Sequence, residues 1–330
     1  MKTPVLITGG CGYIGSHIVH NLRDAGYQPI VVDNLSNSRS DLLPDDVPFY
    51  QQDVGDSAAL KNVLQKHDIK TVIHMAAFLS VEESVSFPLK YYQNNVGGTC
   101  NLLEACLASG VKKLIFSSTG ATYSSSEEPL NEDSATEPSS PYGLSKLMAE
   151  KVIRDVSTAN ELHAVVLRYF NVAGADPKER TGQQGIKASH LIARACQAAN
   201  GDAGEMKIFG DDYSTVDGTC VRDYIHVSDL AEIHRVVMEQ DFAEKFKIFN
   251  CGYGVGSSVR QVVDRVRAIT GREFPVIKAP RRPGDIMETV ANNNRLLNET
   301  KWRPQYNDLD LMISTAWNWY QREAALIKAK

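Results

Sequence analysis

The sequence predicts a doubly wound α/β fold, a parallel sheet with helices on both faces. Three observations carry this. Short β-branched apolar runs alternate with amphipathic stretches over the first two-thirds of the 330 residues, the first run leads directly into a glycine-rich turn, and the second ends in an acid, Asp33.

Taken in order, strands are expected over residues 5–8, 29–33, 48–52, 71–74, 113–117 and 163–169. Between them, amphipathic stretches predict helices over 16–25, 56–66, 88–109 and 142–159. Beyond Asn171 the pattern loosens into residues 174–185, rich in Gly, Asp, Lys and Gln, which marks passage into a smaller C-terminal α/β lobe. There follow a helix over 190–199, a helix over 227–239, a strand over 247–251, a helix over 258–270, the tract 279–284 and a terminal helix over 309–327. The expected division is residues 1–172 for the first domain and mainly 173–330 for the second, with some later segments returning to the first.

A chain of this length buries a large core, and its composition, 43% hydrophobic and 23% charged, is that of a folded globular protein. A net charge of −5 and a pI near 5.9 give no reason to expect nucleic acid as a partner, so an anionic small ligand needs a local site. No apolar run reaches membrane-spanning length, and the opening MKTPVLITGG enters a strand without the features of a signal peptide. The six cysteines, Cys11, Cys100, Cys106, Cys196, Cys220 and Cys251, are dispersed and lack metal-ligand spacing. A cytoplasmic protein with reduced thiols and no metal is the expectation.

The segment VLITGGCGYIGSH reads as strand, turn and helix start. Gly9, Gly12 and Gly15 satisfy G-x-x-G-x-x-G, and Gly10, Gly12 and Gly15 satisfy G-x-G-x-x-G. Both patterns serve the Rossmann-type dinucleotide site, where a tight turn brings backbone close to a pyrophosphate and helix amides face its charge. Asp33, 18 residues after Gly15, stands where an acid hydrogen-bonds the adenosine ribose. The same acid repels a 2′-phosphate, which favours NAD over NADP. The plainer reading of Asp33 is a turn residue in DNLSNS, and Arg39 is read as a solvated surface side chain.

Tyr142 and Lys146 form Y-x-x-x-K, which a helix places on one face. A phenol titrates near pKa ~10, so a Tyr base at neutrality needs a shift of roughly 3 units, about 4 kcal/mol. A neighbouring ammonium and a cationic nicotinamide both stabilise the phenolate. Alone, the pair also reads as a half-buried Tyr beside a surface Lys. Here it follows FSSTGATY, in which Ser117, Ser118 and Thr119 offer hydroxyls at the carboxyl edge of the sheet, where α/β ligands bind.

Through TGGCGYIGSH, VVDNLSNS, YYQNNVGGT, FSSTGATY, SPYGLSKLMAE, LRYFNVAGA, IFGDDYSTVDGTCVRDYIHVSDLA and RRPGD, the chain resembles the extended short-chain dehydrogenase/reductases, and among them the UDP-glucose (UDP-galactose) 4-epimerases. The resemblance spans nearly the whole chain. It implies NAD as cofactor, a UDP-sugar as substrate, and a homodimer formed through the helices near 88–109 and 142–159.

The same resemblance assigns Tyr13, Ile14, Asp33, Asn34, Asn37, Ser38, Asp53 and Val54 to the pyrophosphate and adenosine of NAD. It sets Met75, Ala76, Ala77 and Asn94 along the nicotinamide side, with Phe170 and Lys146 nearby. It makes Tyr142 the base that takes the sugar 4-hydroxyl proton and Thr119 a hydrogen-bond partner of that hydroxyl. Arg222 and Arg282 become the charge partners of the diphosphate, a task that suits a guanidinium fork. Asn171, His190, Leu191, Lys207, Phe209 and Asp285 complete the uridine and sugar contacts, although Phe209 reads equally well as core and Arg222 as an ordinary ion-pair residue. His226 is read as structural.

Four departures stand out. Thr119 replaces a frequent serine, Leu79 replaces a frequent lysine that touches the cofactor, FNVAGA lacks the proline of FNPxGA, and Thr289 stands where some relatives carry a tyrosine against the sugar. The smaller Thr289 leaves room for a C2 N-acetyl group, so N-acetylhexosamine substrates are expected alongside the hexoses. A sugar-nucleotide 4,6-dehydratase needs an Asp-Glu pair after the active-site threonine, where this chain has Gly120 and Ala121. A decarboxylase lacks its usual Glu here, and a non-catalytic NAD-sensing protein has no use for the retained Y-x-x-x-K. Uronic acid and pentose nucleotides remain alternative substrates.

Overall fold

The computed structural model describes residues 2–124, 126, 128–184, 190–282 and 286–328. Its strands are β1 (Pro4–Thr8), β2 (Gln28–Asp33), β3 (Phe49–Gln51), β4 (Thr71–His74), β5 (Lys113–Thr119), β6 (His163–Tyr169), β7 (Asn171–Ala173), β8 (Met206–Phe209), β9 (Val221–His226), β10 (Phe246–Cys251), β11 (Gly256–Ser258), β12 (Val276–Ala279) and β13 (Glu288–Thr289). Its helices are α1 (Tyr13–Asp24), α2 (Ser57–Lys66), α3 (Val81–Ser86), α4 (Pro88–Tyr91), α5 (Gly98–Ser109), α6 (Pro141–Ala159), α7 (Leu191–Ala199), α8 (Val227–Glu239), α9 (Val259–Thr270), α10 (Asn294–Glu299) and α11 (Leu309–Lys328).

Seven strands form one parallel sheet in the order β10-β6-β5-β4-β1-β2-β3. Successive side chains of a strand leave opposite faces, so a strand covered on both sides must be apolar throughout. In β1, Val5 and Ile7 join Ile18, Leu22, Leu230 and Ile233 of α1 and α8, while Leu6 joins Leu60, Leu64, Leu102 and Ile153 of α2, α5 and α6. Each such side chain contributes about 1.5–3 kcal/mol on burial. The strand order reverses between β1 and β4, and the crevice above that point receives the turns after both strands.

The second sheet draws β7, β9, β11 and β13 from four separated stretches, and β8 pairs with β12. Strands β7, β8, β9, β11, β12 and β13 are absent from the sequence expectation because each is short and is stabilised by partners distant in the chain. The strand β10 and the helix α8 return to the first sheet and its covering layer.

The helix expected over 88–109 is interrupted. Pro88–Tyr91 is α-helical, Tyr92–Gly97 widens into a π-helical turn, and α5 resumes at Gly98. The buried Asn95 holds this turn in place: its side chain accepts from Phe78 N at 2.9 Å and donates to Phe78 O at 3.1 Å and Ser145 Oγ at 3.0 Å. Single π-turns of this kind mark functional sites. The helix α1 begins at Tyr13, three residues before the expected start at Ser16, because the glycine turn runs straight into it.

Of the segment expected as a loose connector, 174–185, the described residues 174–184 are strapped between α1 and α11. Tyr13 Oη donates to Gly174 O at 2.6 Å, Ser16 Oγ meets Thr181 Oγ1 at 2.6 Å, and Trp319 Nε1 donates to Gln183 O at 3.0 Å. His226 supports the structural reading: it is buried, accepts from Ser228 N at the start of α8, and stacks on Tyr306. Among the described residues, no helix is long and apolar enough to cross a membrane.

Candidate active site

The glycine turn closes on itself with little room to spare. Gly9 adopts φ +70°, and a Cβ there would stand 2.7 Å from Ala76 N; a Cβ on Gly15 would stand 2.2 Å from Gly9 O. Only glycine brings the two turns and the start of α1 this close. Helix α1 has no side-chain cap at Gly12, so its first amides face outward, as an anion requires. These features fit the pyrophosphate of NAD.

Asp33 organises the adjoining loop. Its Oδ2 accepts from Cys11 N at 3.0 Å, and its Oδ1 accepts from Leu35 N and Ser38 Oγ, both at 2.9 Å. Oδ2, with one donor, keeps acceptor capacity for a ribose hydroxyl. Asn34 Nδ2 donates to Asp53 Oδ2 at 2.7 Å, Val54 is buried against Gly98, and Asn37 is exposed. Arg39, expected to be free in solvent, pairs with Asp41 at 3.1 Å and with Glu323 at 2.8 Å. Its charge is therefore engaged within the protein, which strengthens the case against a 2′-phosphate. Gln184, for which the sequence holds no signal, bridges the two loops: it donates to Cys11 O at 2.7 Å and accepts from Arg39 N at 2.8 Å.

On the nicotinamide side, Met75, Ala76 and Ala77 follow β4. Met75 N donates to Thr8 O at 3.0 Å, Asn94 donates to Asn95 Oδ1 at 2.9 Å, and Phe170 is buried beside Gly120. Leu79 is 55% exposed. Below them, burial lowers the pKa of His74 to about 3, with the Lys146 charge adding to the effect, so this imidazole stays neutral. It is held between Thr8 Oγ1 at 2.6 Å and Thr99 Oγ1 at 3.2 Å.

Helix α6 starts with Ser140 as N-cap, its Oγ accepting from Gly143 N at 3.2 Å, and Pro141 in the first turn. Tyr142 thus stands at the helix mouth, buried and hydrogen-bonded to Thr119, the last residue of β5. Burial pushes the Tyr142 phenol up to about 12, with the Thr119 hydrogen bond pulling it down. Lys146 donates to Ser117 O at 2.8 Å and lies over the Phe116 ring, 4.8 Å from its centroid. Burial pushes its ammonium down to about 7, opposed by the Glu150 carboxylate. The Lys146 ammonium is directed at the β5 backbone, so burial and Thr119 set the position of the phenol among these groups.

The residues assigned to substrate lie on the second sheet and its surroundings. Arg222 on β9 is in register with Thr289 on β13 and donates to Val221 O at 2.8 Å and Met287 O at 3.3 Å. Asn171 is in register with Tyr224 and donates to Asp223 O at 3.0 Å. Phe209, read equally as core or ligand, carries the Arg282 guanidinium 3.8 Å above its ring, which orients that cation. Lys207 is exposed and paired with Glu205 at 3.4 Å, His190 and Leu191 open α7, and Asp285 lies outside the described residues. Among the described residues, no group of three or more His, Cys, Asp or Glu side chains could hold a metal ion.

Gly120 and Ala121 form a 3₁₀ turn after Thr119. A Cβ on Gly120 would meet the Phe170 ring at 3.5 Å, an ordinary contact, so this position has room for the start of a side chain but supplies no acid.

The dinucleotide cradle, the Thr119–Tyr142–Lys146 constellation and the Arg222 and Arg282 guanidiniums together define an NAD-dependent enzyme of the extended short-chain dehydrogenase/reductase class. Comparison with known proteins narrows this. Residues 5–252 match the model of the NAD dependent epimerase/dehydratase family, and the chain belongs to that family. It is 46% identical over 317 residues to a UDP-glucose 4-epimerase of Azospirillum brasilense, covering 96% of this chain and 91% of that one. A UDP-glucose 4-epimerase structure from Stenotrophomonas maltophila, with bound NAD and formylated UDP-arabinopyranose, superposes with a TM-score of 0.94 at 35% identity, covering 99% of this chain and 100% of the other. The UDP-Glc/GlcNAc 4-epimerase of Campylobacter jejuni gives 0.83 at 41% identity, covering 97% and 99%.

The approach of α6 to the turn after β5 depends on Gly143, where a Cβ would stand 2.3 Å from Ala121 O. Gly143→Ala is expected to push Tyr142 away from Thr119 and lower kcat by about 10²-fold while NAD stays bound. Steady-state kinetics with spectroscopic NAD quantification checks this, and undiminished turnover would show the fit to be slack.

Proposed function

We propose that this protein catalyses the NAD-dependent, reversible epimerisation of UDP-hexoses at C4, interconverting UDP-glucose and UDP-galactose. One observation carries the reaction class: the Thr119–Tyr142 pair stands at the carboxyl edge of β5 and is followed by Gly120 and Ala121 rather than by acids. Tyr142 takes the 4-hydroxyl proton while Thr119 hydrogen-bonds that oxygen. NAD, held by the glycine turn and Asp33, would supply a reversible hydride acceptor for C4, and a 4-keto sugar that turns about its diphosphate linkage would present its other face to it. Without an acid at 120 or 121, no group at that position eliminates water, so the 4-keto sugar is reduced again.

In this reading Arg222 and Arg282 neutralise the diphosphate from the second lobe, and Phe209 holds Arg282 in its orientation. Residues 1–172, completed by β10, bind NAD, and residues 173–330 mainly bind the UDP-sugar. All six cysteines are free thiols, which supports a cytoplasmic site of action. Tyr142→Phe is expected to retain NAD yet lose at least about 10²-fold in turnover of UDP-galactose, measured by separating the C4 epimers. Full activity in that variant would remove Tyr142 from the mechanism.

Thr289, in register with Arg222 and half-buried, also supports acceptance of N-acetylhexosamines. UDP-N-acetylglucosamine should be turned over by the unmodified protein, and Thr289→Tyr should lower that activity by about tenfold or more relative to UDP-glucose. No detectable turnover of the acetylated sugar would sink the idea.

A homodimer is supported by exposed apolar side chains on the packed helices α3, α4 and α6, where Val85 and Leu89 are 65% and 70% exposed and Leu144 and Met148 are 38% and 41% exposed. Sedimentation equilibrium should return twice the chain mass, with Leu144→Glu/Met148→Glu reducing it to one. A monomeric parent chain would refute this.

A further inference from the structure

Glu150 lies eight residues beyond Tyr142 and four beyond Lys146, on the same face of α6, and is 3% exposed. Its Oε1 accepts from Arg168 Nε at 3.0 Å and its Oε2 from Arg168 Nη2 at 2.6 Å, a bidentate pair between side chains that are 4% and 3% exposed. Ser118 Oγ donates to the same carboxylate. Arg168 in β6 is the register partner of Ser118 in β5. Three consecutive strand residues therefore receive three residues of the helix: Ser117 takes Lys146, Ser118 takes Glu150 and Thr119 takes Tyr142.

A buried ion pair is weak evidence for stability, since apolar replacements are often as stable. Its position here suggests a different use. The groups around Lys146 are few. β4 contributes the neutral His74, and β5 contributes Ser117 and the Phe116 ring. α6 contributes Tyr142 and Glu150, and β6 lies beyond them, with the Arg168 cation paired to Glu150 and the protonated Tyr169 phenol coupled to Tyr142. Among these described residues Glu150 is the one anion, and its field opposes the loss of the Lys146 proton.

Building on the epimerase reading, we propose that Glu150, clamped by Arg168, is a positioning residue that sets α6 on β5 and holds Lys146 as an ammonium. Replacing it by Gln keeps the shape, removes the anion and leaves Arg168 uncompensated nearby, so both changes favour a neutral Lys146. Removing both charges restores part of the balance.

The test follows Lys146 directly, by 13Cε NMR titration of lysine-labelled full-length holoenzyme, with the signal assigned by its loss in Lys146→Met. Lys146 should titrate about one pH unit or more lower in Glu150→Gln than in the parent, between the two in Glu150→Gln/Arg168→Gln, and near the parent in Glu150→Asp. The alkaline fall in UDP-galactose turnover should shift in the same order, with KM little changed. An unshifted Lys146 in Glu150→Gln overturns the proposal. Should that variant not fold, an unshifted Lys146 in the doubly neutral variant does so. Because the titration needs no turnover, an inactive parent would refute the epimerase reading while leaving the role of Glu150 to be decided by NMR.

Discussion

The seating of helix α6 against the carboxyl end of β5 is the constraint on which the site depends. A helix is stiff on the scale of three turns, so fixing one of Tyr142, Lys146 and Glu150 limits where the other two can go. The closeness of the fit is set by backbone rather than by flexible side chains, because Gly143 lies directly under the Ala121 carbonyl. A site organised in this way is ready before substrate arrives, and binding does not have to order its reacting groups.

The cofactor side follows the same logic with different chemistry. Asp33 ties the glycine turn to the loop that begins at Leu35, so the residues proposed to hold the ribose and the pyrophosphate are joined through one carboxylate. Leu35 adopts φ +58°, a conformation unusual for leucine, and its amide hydrogen bond to Asp33 helps hold it there. The buried imidazoles of His74, His226 and His234 are all pushed well down by burial, so they serve as neutral hydrogen-bonding elements. In the proposed reaction the helix-borne phenol and amine are the groups that move or stabilise a proton.

The first sheet was legible because a strand buried on both faces is apolar at every position and so appears as an uninterrupted run, as in Val5, Leu6 and Ile7. The second sheet was not, since strands of two to six residues such as β13 and β9 acquire their identity from one another. The π-turn at Tyr92–Gly97 escaped for a related reason: it depends on Asn95 reaching Phe78 and Ser145. Glu150 carried a readable signal, the continuation of the Tyr142 and Lys146 spacing by one more turn. Arg168 and Gln184 carried none.

By itself the sequence determined what local geometry dictates: the glycine spacing of the turn, the acid ending the second strand, the shared face of Tyr142 and Lys146, and the missing acids at Gly120 and Ala121. These follow from backbone sterics and helical period, which act over a few residues. The tertiary structure alone decided that Lys146 reaches for Ser117, that Arg39 is engaged by Glu323, and that Arg222 faces Thr289 across a strand pair. Those choices depend on packing between distant segments and on the depth of burial it produces. Burial in turn sets how strongly each charge is felt.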